Sequence, residues 1–320
     1  MNKFEQIAES IFRQQGLDFN TAERAGGWTN YVWLNGDLAL RLSKEKNSDK
    51  IRRETERSKM LPASVGYPAN IATDITCGYE WNLSKRINGK ALCDIWSDLS
   101  WSQKAKAVRQ ILCIINGIHS VEVDKIKHLT LTRAWYNSFD KEKSLADINR
   151  YMTKKIFTPE QGRILCNILE RFYEAKNSVP SVLNHGDITM DNLLWHEGNI
   201  VSLLDFEHAV IAPRQLDIHS LVNLSLIPYD EATDKEIILL YEKELDVQQY
   251  VKEMILLLKP FLTEQYDKDL LMGYSVLFRQ RFLEFWIERP IGEIKHCDAY
   301  QKLLSLSDGY GGYLSKLLYD

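Results

Sequence analysis

The chain has 320 residues, 45% of them hydrophobic and 26% charged, and a formal net charge of −4. That length holds one large domain or two lobes with sizeable cores, and that charge excludes the basic footprint of a protein built to bind nucleic acid or an anionic membrane. Five scattered cysteines (Cys77, Cys93, Cys113, Cys166, Cys297) form no Cys-x-x-Cys pair, so free thiols in a reducing cytoplasm are expected rather than disulfides or zinc.

The opening residues, Met1 to Glu5, lack the apolar region of a signal peptide. Apolar runs such as Met254–Leu258 are too short to span a bilayer, and a cytoplasmic protein is expected. Phe4, Ile7, Ala8, Ile11 and Phe12 recur at helical spacing, which predicts an amphipathic helix over 3–14 ended by Gly16. Gly26-Gly27 precedes Tyr31–Leu34, the turn pair Asn35-Gly36 and Leu38–Leu42; Asn-Gly between apolar alternations is a strong hairpin signal. Glycines ahead of a hairpin let backbone amides approach a phosphate without a Cβ in the way, and an ordinary turn would explain the same pair.

Period-two geometry points Arg41 away from Leu40 and Leu42. Lys50–Leu61 reads as a charged helix stopped before Pro62. Ile71–Ile75, the turn Cys77-Gly78 and Glu80–Ile87 read as a second hairpin, which Asn88-Gly89 breaks. The composition then turns helical. These features predict an α+β chain with a small antiparallel β lobe over 1–88 and a mainly helical lobe over 89–320.

Ser100 and Gln103 form a capping box opening a helix through Val108, Ile111, Ile115 and Ile118; His119 at its end reads as a buried, satisfied histidine. Thr158-Pro159-Glu160-Gln161 opens another helix, with Pro at the first helical position. Weaker periodicity marks 121–157 as a variable insertion. Beyond residue 231 the chain reads as helices at Ile237–Tyr241, Val251–Leu258, Leu270–Ile287 and Tyr300–Leu318, with Phe278, Phe282, Phe285 and Trp286 expected in the core. Residues 231–270 hold ten acidic and five basic side chains, which would suit a cationic small molecule. A solvated helix surface has the same composition.

The remaining stretch, Val182–Ala209, organises the rest. Val182-Leu183 leads into His185-Gly186-Asp187; Asn192–Trp195 and Ile200–Leu204 are apolar runs joined by His196-Glu197-Gly198-Asn199 and followed by Asp205. A hairpin of that length folds the chain back, so Asp187, Asn192 and Asp205 converge at one end. The trio has a chemistry. Phosphoryl transfer needs an acceptor oxygen held in line and phosphate charge neutralised by metal. Hard Mg²⁺ takes a few protein oxygens plus phosphate oxygens, which Asn192 and Asp205 can supply. A second carboxylate, Asp187, is left to accept the hydrogen bond of an incoming hydroxyl as catalytic base. An Asp/Asn-rich pair of turns is the plainer alternative for such residues.

With His185-Gly186-Asp187-x4-Asn192 followed by Leu203-Leu204-Asp205-Phe206-Glu207, the chain resembles the aminoglycoside phosphotransferase family, small-molecule relatives of protein kinases. Asp205-Phe206-Glu207 is also similar to the choline and ethanolamine kinase branch. The resemblance implies a two-lobed protein-kinase-like fold and Mg²⁺-dependent transfer of the γ-phosphate of ATP or GTP to a hydroxyl of a small acceptor, foremost an aminoglycoside or other antibiotic. It makes Gly26-Gly27 the nucleotide-covering loop, with Thr29 a phosphate donor. It places Arg41 where kinases usually keep a phosphate-binding lysine, with Lys44 the nearest substitute. Glu54 falls where the family keeps the helix carboxylate that pairs with this cation, Glu45 and Glu56 being the other candidates. Backbone groups of Lys85 and Ile87 would meet the purine. Asp217 resembles the family's brace for the catalytic loop, and a plain helix cap fits it equally well. No Ala-Pro-Glu segment follows Asp205, which disfavours a protein kinase; the intact trio disfavours a silent nucleotide-binding scaffold.

Overall fold

Asn2 caps the first helix, α1 (Lys3–Gln14): its side chain accepts the amides of Phe4 and Glu5, and Glu5 returns a bond to the Asn2 amide. The computed structural model describes residues 1–27, 29–127, 139–226, 245–307 and 317–318. As the apolar spacing requires, α1 buries Ile7, Ala8, Ile11 and Phe12 against Trp33, Leu40, Leu42, Trp81 and Leu83 of a five-stranded antiparallel sheet. Its strands are β1 (Glu23–Ala25), β2 (Asn30–Asn35), β3 (Leu38–Lys46), β4 (Asn70–Thr76) and β5 (Tyr79–Lys85), in the order β1-β2-β3-β5-β4.

Both expected hairpins form, with two differences. Asn35 pairs with Leu38, so the first turn is Gly36-Asp37, one place later than the Asn35-Gly36 pair. Strand β1 is only three residues long and mostly exposed, so no periodicity announces it. Its pairing with β2 makes Gly26-Gly27 the tip of a hairpin rather than the approach to one.

Alternation along β3 buries Leu40 and Leu42 beneath α1 and turns Arg41 to the other face of the sheet. There α2 (Lys50–Ser58) is fastened to β5: buried Glu80 accepts the Ile51 amide in the helix's first turn, at 3.1 Å. Helix α2 stops short of Leu61 because Met60 and Leu61 donate to Arg57 and Ser58 in tighter turns.

After β6 (Lys90–Ala91) and a short helix, α3 (Leu92–Ile95), the chain is mainly helical: α4 (Trp101–His119), α5 (Val123–Ile126), α6 (Lys141–Thr153) and α7 (Pro159–Ser178). Both expected capping boxes are formed. Then come β7 (Ser181–Asn184), β8 (Leu193–His196), β9 (Asn199–Leu203), β10 (Val210–Pro213), α8 (Gln215–Leu226), α9 (Leu245–Leu258), α10 (Gln265–Glu284), α11 (Ile291–His296) and α12 (Asp298–Ser307). Helix α10 crosses α7 so closely that a Cβ on Gly273 would drive into the Phe172 ring. Two aromatic expectations fail: Phe282 and Phe285 are 49% and 74% exposed, because the end of α10 buries its other side, with Gln280, Leu283 and then Ile287. Phe278 and Trp286 do pack against the core.

The expected helix Ile237–Tyr241 lies outside the described residues, as does much of the acidic stretch and most of the chain beyond Ser307. Among the described residues no helix is long and apolar enough to cross a membrane.

Candidate active site

The stretch from Ser181 to Pro213 folds as two interleaved pairs. Strands β7 and β10 pair antiparallel, Asn184 opposite Val210, and β8 pairs with β9, His196 opposite Asn199. The β8–β9 turn is Glu197-Gly198, with φ of +46° and +79°, the doubly left-handed conformation that matches strand twist in two-residue hairpins. Past the end of that ladder, Leu204 donates its amide to the Asn192 carbonyl at 2.8 Å, which sets Asp205 beside Asn192. The Asn192 Nδ2 group donates to the Asp187 carbonyl at 3.0 Å and reaches its Oδ2 at 3.5 Å. The three residues therefore converge as the hairpin length requires, and the Asn192 amide oxygen is the end it can offer a cation.

Asp217 holds this loop in place. It lies inside the first turn of α8 rather than at its cap, fully buried. Its Oδ2 accepts the His185 amide at 2.9 Å, its Oδ1 the Gly186 amide at 3.0 Å. His119 Nε2 donates to Oδ2 at 3.2 Å, so the expected satisfied histidine has Asp217 as its partner. His185 Nε2 donates to the Leu204 carbonyl at 2.8 Å, which leaves Nδ1 bare to accept the Asp187 amide at 3.2 Å. Asp217→Ala strands two buried amides and a histidine, each worth about 1–3 kcal/mol. Thermal denaturation should show a loss of at least one such increment.

Gly186 is required twice over. Its φ is +82°, and a Cβ there would lie 2.5 Å from the His208 carbonyl oxygen. Gly186→Ala should cost roughly 1–2 kcal/mol for the left-handed backbone alone. In urea unfolding the variant should show that loss or more, together with reduced activity from a displaced Asp187.

On the opposite wall, Arg41 and Glu54 form a two-pronged pair, Nη1 to Oε1 at 3.0 Å and Nη2 to Oε2 at 2.6 Å. Glu54 is 1% exposed. Its Oε1 also accepts the Tyr67 hydroxyl at 2.5 Å and the Phe206 amide at 3.1 Å. Burial alone would push the Glu54 carboxyl up; Arg41, with the bonds from Tyr67 and Phe206, outweighs it and holds the group below its ordinary range. Burial likewise opposes the Arg41 charge, and Glu54 more than compensates. The other candidates are spent on surface pairs: Glu56 with Lys59 and Glu45 with Lys50.

The Phe206 amide carries this pair to Asp205. Asp205 has φ +64° and ψ +69°, a left-handed conformation that a non-glycine residue adopts only under constraint. The constraint is visible. Glu54 holds the Phe206 amide, and Arg57 Nη1 donates to the Phe206 and Glu207 carbonyls at 3.2 and 3.3 Å. The buried Phe206 ring meets His185 and Tyr67 edge-on, with centroids 4.4 and 5.5 Å apart. Asp205 Oδ1 is closed off from solvent and, among the described residues, has no hydrogen-bond partner. Burial, then the nearby Glu54 charge, pushes the carboxyl up to about 6. A buried carboxylate oxygen with no donor, beside an amide oxygen, is a fit for a hard cation. Among the described residues no cluster of three or more His, Cys, Asp or Glu forms.

A family model, APH, the phosphotransferase enzyme family, matches residues 21–250. The chain belongs to that family. It is a phosphotransferase with an alcohol group as acceptor. An aminoglycoside 3'-phosphotransferase of Escherichia coli is 24% identical over 191 residues, 58% of this chain and 68% of the relative. Among solved structures, the GDP complex of aminoglycoside 2'-phosphotransferase-IIIa superposes with a TM-score of 0.64 at 15% identity, over 96% of this chain and 98% of that one. The ADP and hygromycin B complex of an APH(4)-Ia variant gives 0.57 at 11% identity, over 95% and 98%. These likenesses establish the protein-kinase-like, two-lobed fold that the sequence implies.

The remaining positions fall in place unevenly for this phosphotransferase. Lys44 donates to the Gly27 carbonyl at 2.9 Å and lies over the Tyr31 ring, so it pins the glycine tip while Arg41 takes Glu54. Gly27 is needed sterically, since its Cβ would meet the Asn30 carbonyl oxygen at 2.5 Å, whereas Gly26 faces open space. Thr29 is exposed, its hydroxyl accepting from Asn30 at 3.2 Å. The Lys85 amide is taken by the Ala69 carbonyl at 2.9 Å, so any purine contact falls to the Lys85 carbonyl. Ile87 lies two residues beyond the end of β5. Tyr67 and Arg57 escape sequence reasoning altogether: one sits in an extended loop, the other in a charged helix, and their partners are distant. His208 and Glu207 also border the site, 3.4 Å apart. Burial keeps His208 below its ordinary value and pushes Glu207 above its own.

Proposed function

We propose that the protein transfers the γ-phosphate of ATP or GTP, with Mg²⁺, to a hydroxyl of an aminoglycoside or other hydroxylated antibiotic, acting in the cytoplasm as a resistance enzyme. The observation carrying this reading is the convergence of Asp187, Asn192 and Asp205, with one buried oxygen of Asp205 left without a donor. The nucleotide would lie between lobes meeting near residue 88, under Gly26, Gly27 and Thr29, its phosphates against Arg41. Glu54 keeps that guanidinium aimed, and the Lys85 carbonyl and Ile87 backbone would meet the purine.

Asn192 and Asp205 would hold Mg²⁺, which when bound neutralises charge on the transferring phosphate. Asp187 accepts the hydrogen bond of the acceptor hydroxyl and takes its proton as that oxygen bonds to the γ-phosphorus, whose bond to the β,γ-bridging oxygen breaks so that ADP or GDP leaves. His185 and Asp217 keep Asp187 in position. Relatives of this fold support that acceptor class: one is in complex with GDP and kanamycin, another with hygromycin B and ADP.

A turnover screen tests this, with Mg²⁺ and ATP or GTP against aminoglycosides, other hydroxylated antibiotics, choline-like amines and sugars. Acceptor-dependent nucleotide turnover with an aminoglycoside or another antibiotic is the expected result. Turnover only with choline-like amines or sugars would replace the antibiotic by a metabolite and keep the chemistry.

A further inference from the structure

We propose that Tyr67 is a positioning residue whose hydroxyl fixes the Glu54 carboxylate so that it holds Arg41 and the Phe206 amide together. The inference rests on the phosphotransfer reading above and concerns how the nucleotide-binding wall is coupled to the metal-binding turn.

The loop carrying Tyr67 is seated on the C-terminal side of the cleft. Gly66 has φ +67°, and a Cβ there would drive into the Val201 carbonyl of β9. Val65, fully buried, belongs to the core of the helical lobe. From that footing Tyr67 reaches back to the N-terminal pair: its hydroxyl donates to Glu54 Oε1 at 2.5 Å and lies 3.5 Å from Arg41 Nη1. Its ring packs edge-on against Phe206 at 5.5 Å. Burial, and then the Glu54 charge, holds the phenol well above its ordinary value, so it remains a proton donor.

One carboxylate oxygen thus accepts from three groups on three segments: Arg41 on β3, Tyr67 in the loop and Phe206 after β9. Without the hydroxyl, Glu54 can turn about its side-chain torsions to follow Arg41 alone and release the Phe206 amide. Asp205, next in sequence and held in a left-handed conformation, would lose part of its constraint. Nucleotide and metal binding should weaken together, whereas acceptor binding should not.

Calorimetric titration of Mg·ADP into the 320-residue chain and its Tyr67→Phe variant tests this, since that change keeps the ring and deletes only the hydroxyl. The variant should bind Mg·ADP about tenfold more weakly, the scale of one charge-assisted hydrogen bond. The acceptor KM should stay within about twofold, with melting little changed. The Tyr67→Phe effect should vanish in a Glu54→Ala background, which removes the acceptor, as two residues acting through one contact require.

Equal Mg·ADP affinity in wild type and Tyr67→Phe overturns the inference alone. So does a tenfold loss that persists in Glu54→Ala, or a parallel fall of melting temperature and of both affinities. Wild-type protein that bound no Mg·ADP would overturn the phosphotransfer reading and this inference with it.

Discussion

Asp187→Ala is expected to lower kcat by about 10²–10⁴-fold, the usual contribution of a general base, while leaving the affinity for Mg·ADP nearly unchanged. The separation follows from the geometry. The stronger bond from Asn192 goes to the main-chain carbonyl of residue 187, at 3.0 Å, and only the 3.5 Å contact reaches the carboxylate. Truncating the side chain therefore removes the base without releasing Asn192. The loop itself is held by the main-chain amides of His185 and Gly186 on Asp217, which the substitution does not touch. Steady-state kinetics beside direct nucleotide titration separates the two effects. A variant with near-normal kcat would remove Asp187 from the role of base, and one that lost nucleotide binding would make it a metal ligand instead.

Asp205→Asn is expected to abolish phosphotransfer and, in the absence of ligands, to stabilise the protein. In the folded state burial, then Glu54, raises the Asp205 carboxyl to about 6, well above its value in an unfolded chain. The sign follows directly: a carboxyl whose folded value is raised favours folding in its protonated form. Its contribution is best at low pH and is lost as pH rises through about 4 to 6. Above that window the ionised side chain costs the fold about 3 kcal/mol. Asparagine removes the charge and is among the residues that best tolerate a left-handed backbone. Melting of the ligand-free variant at pH 7.5 should exceed wild type by several degrees. The gap should close as pH falls toward 4, and added Mg·ADP should stabilise wild type far more than the variant. A variant less stable than wild type at pH 7.5 would contradict the assignment of strain and charge to this carboxyl.

The catalytic stretch is legible in sequence because its geometry is local. Asp187, Asn192 and Asp205 sit on one loop and one hairpin, and a two-residue turn fixes how far the chain folds back. Glu54 is legible only through resemblance: spacing alone cannot prefer it to Glu45 or Glu56, and burial decides the matter. Strand β1 is invisible because three exposed residues show no period. Arg57, whose partner Phe206 lies 149 residues away, and Tyr67 work through contacts that no local pattern encodes. Phe282 and Phe285 mislead for a related reason: they continue the spacing of Phe278, whereas the fold covers the other side of the helix, where Leu283 is buried.

The central claim is that the residues from His185 to Glu207 form a phosphotransfer centre, and phosphorus NMR of the reaction tests it most directly. ATP or GTP, Mg²⁺ and the acceptor giving turnover are incubated with wild-type protein and with Asp187→Ala. The γ-phosphate signal should disappear and a phosphomonoester signal appear on the acceptor only with Mg²⁺, and about 10²–10⁴-fold more slowly with Asp187→Ala. Inorganic phosphate as the sole product, or a phosphomonoester formed equally well by Asp187→Ala, would contradict it.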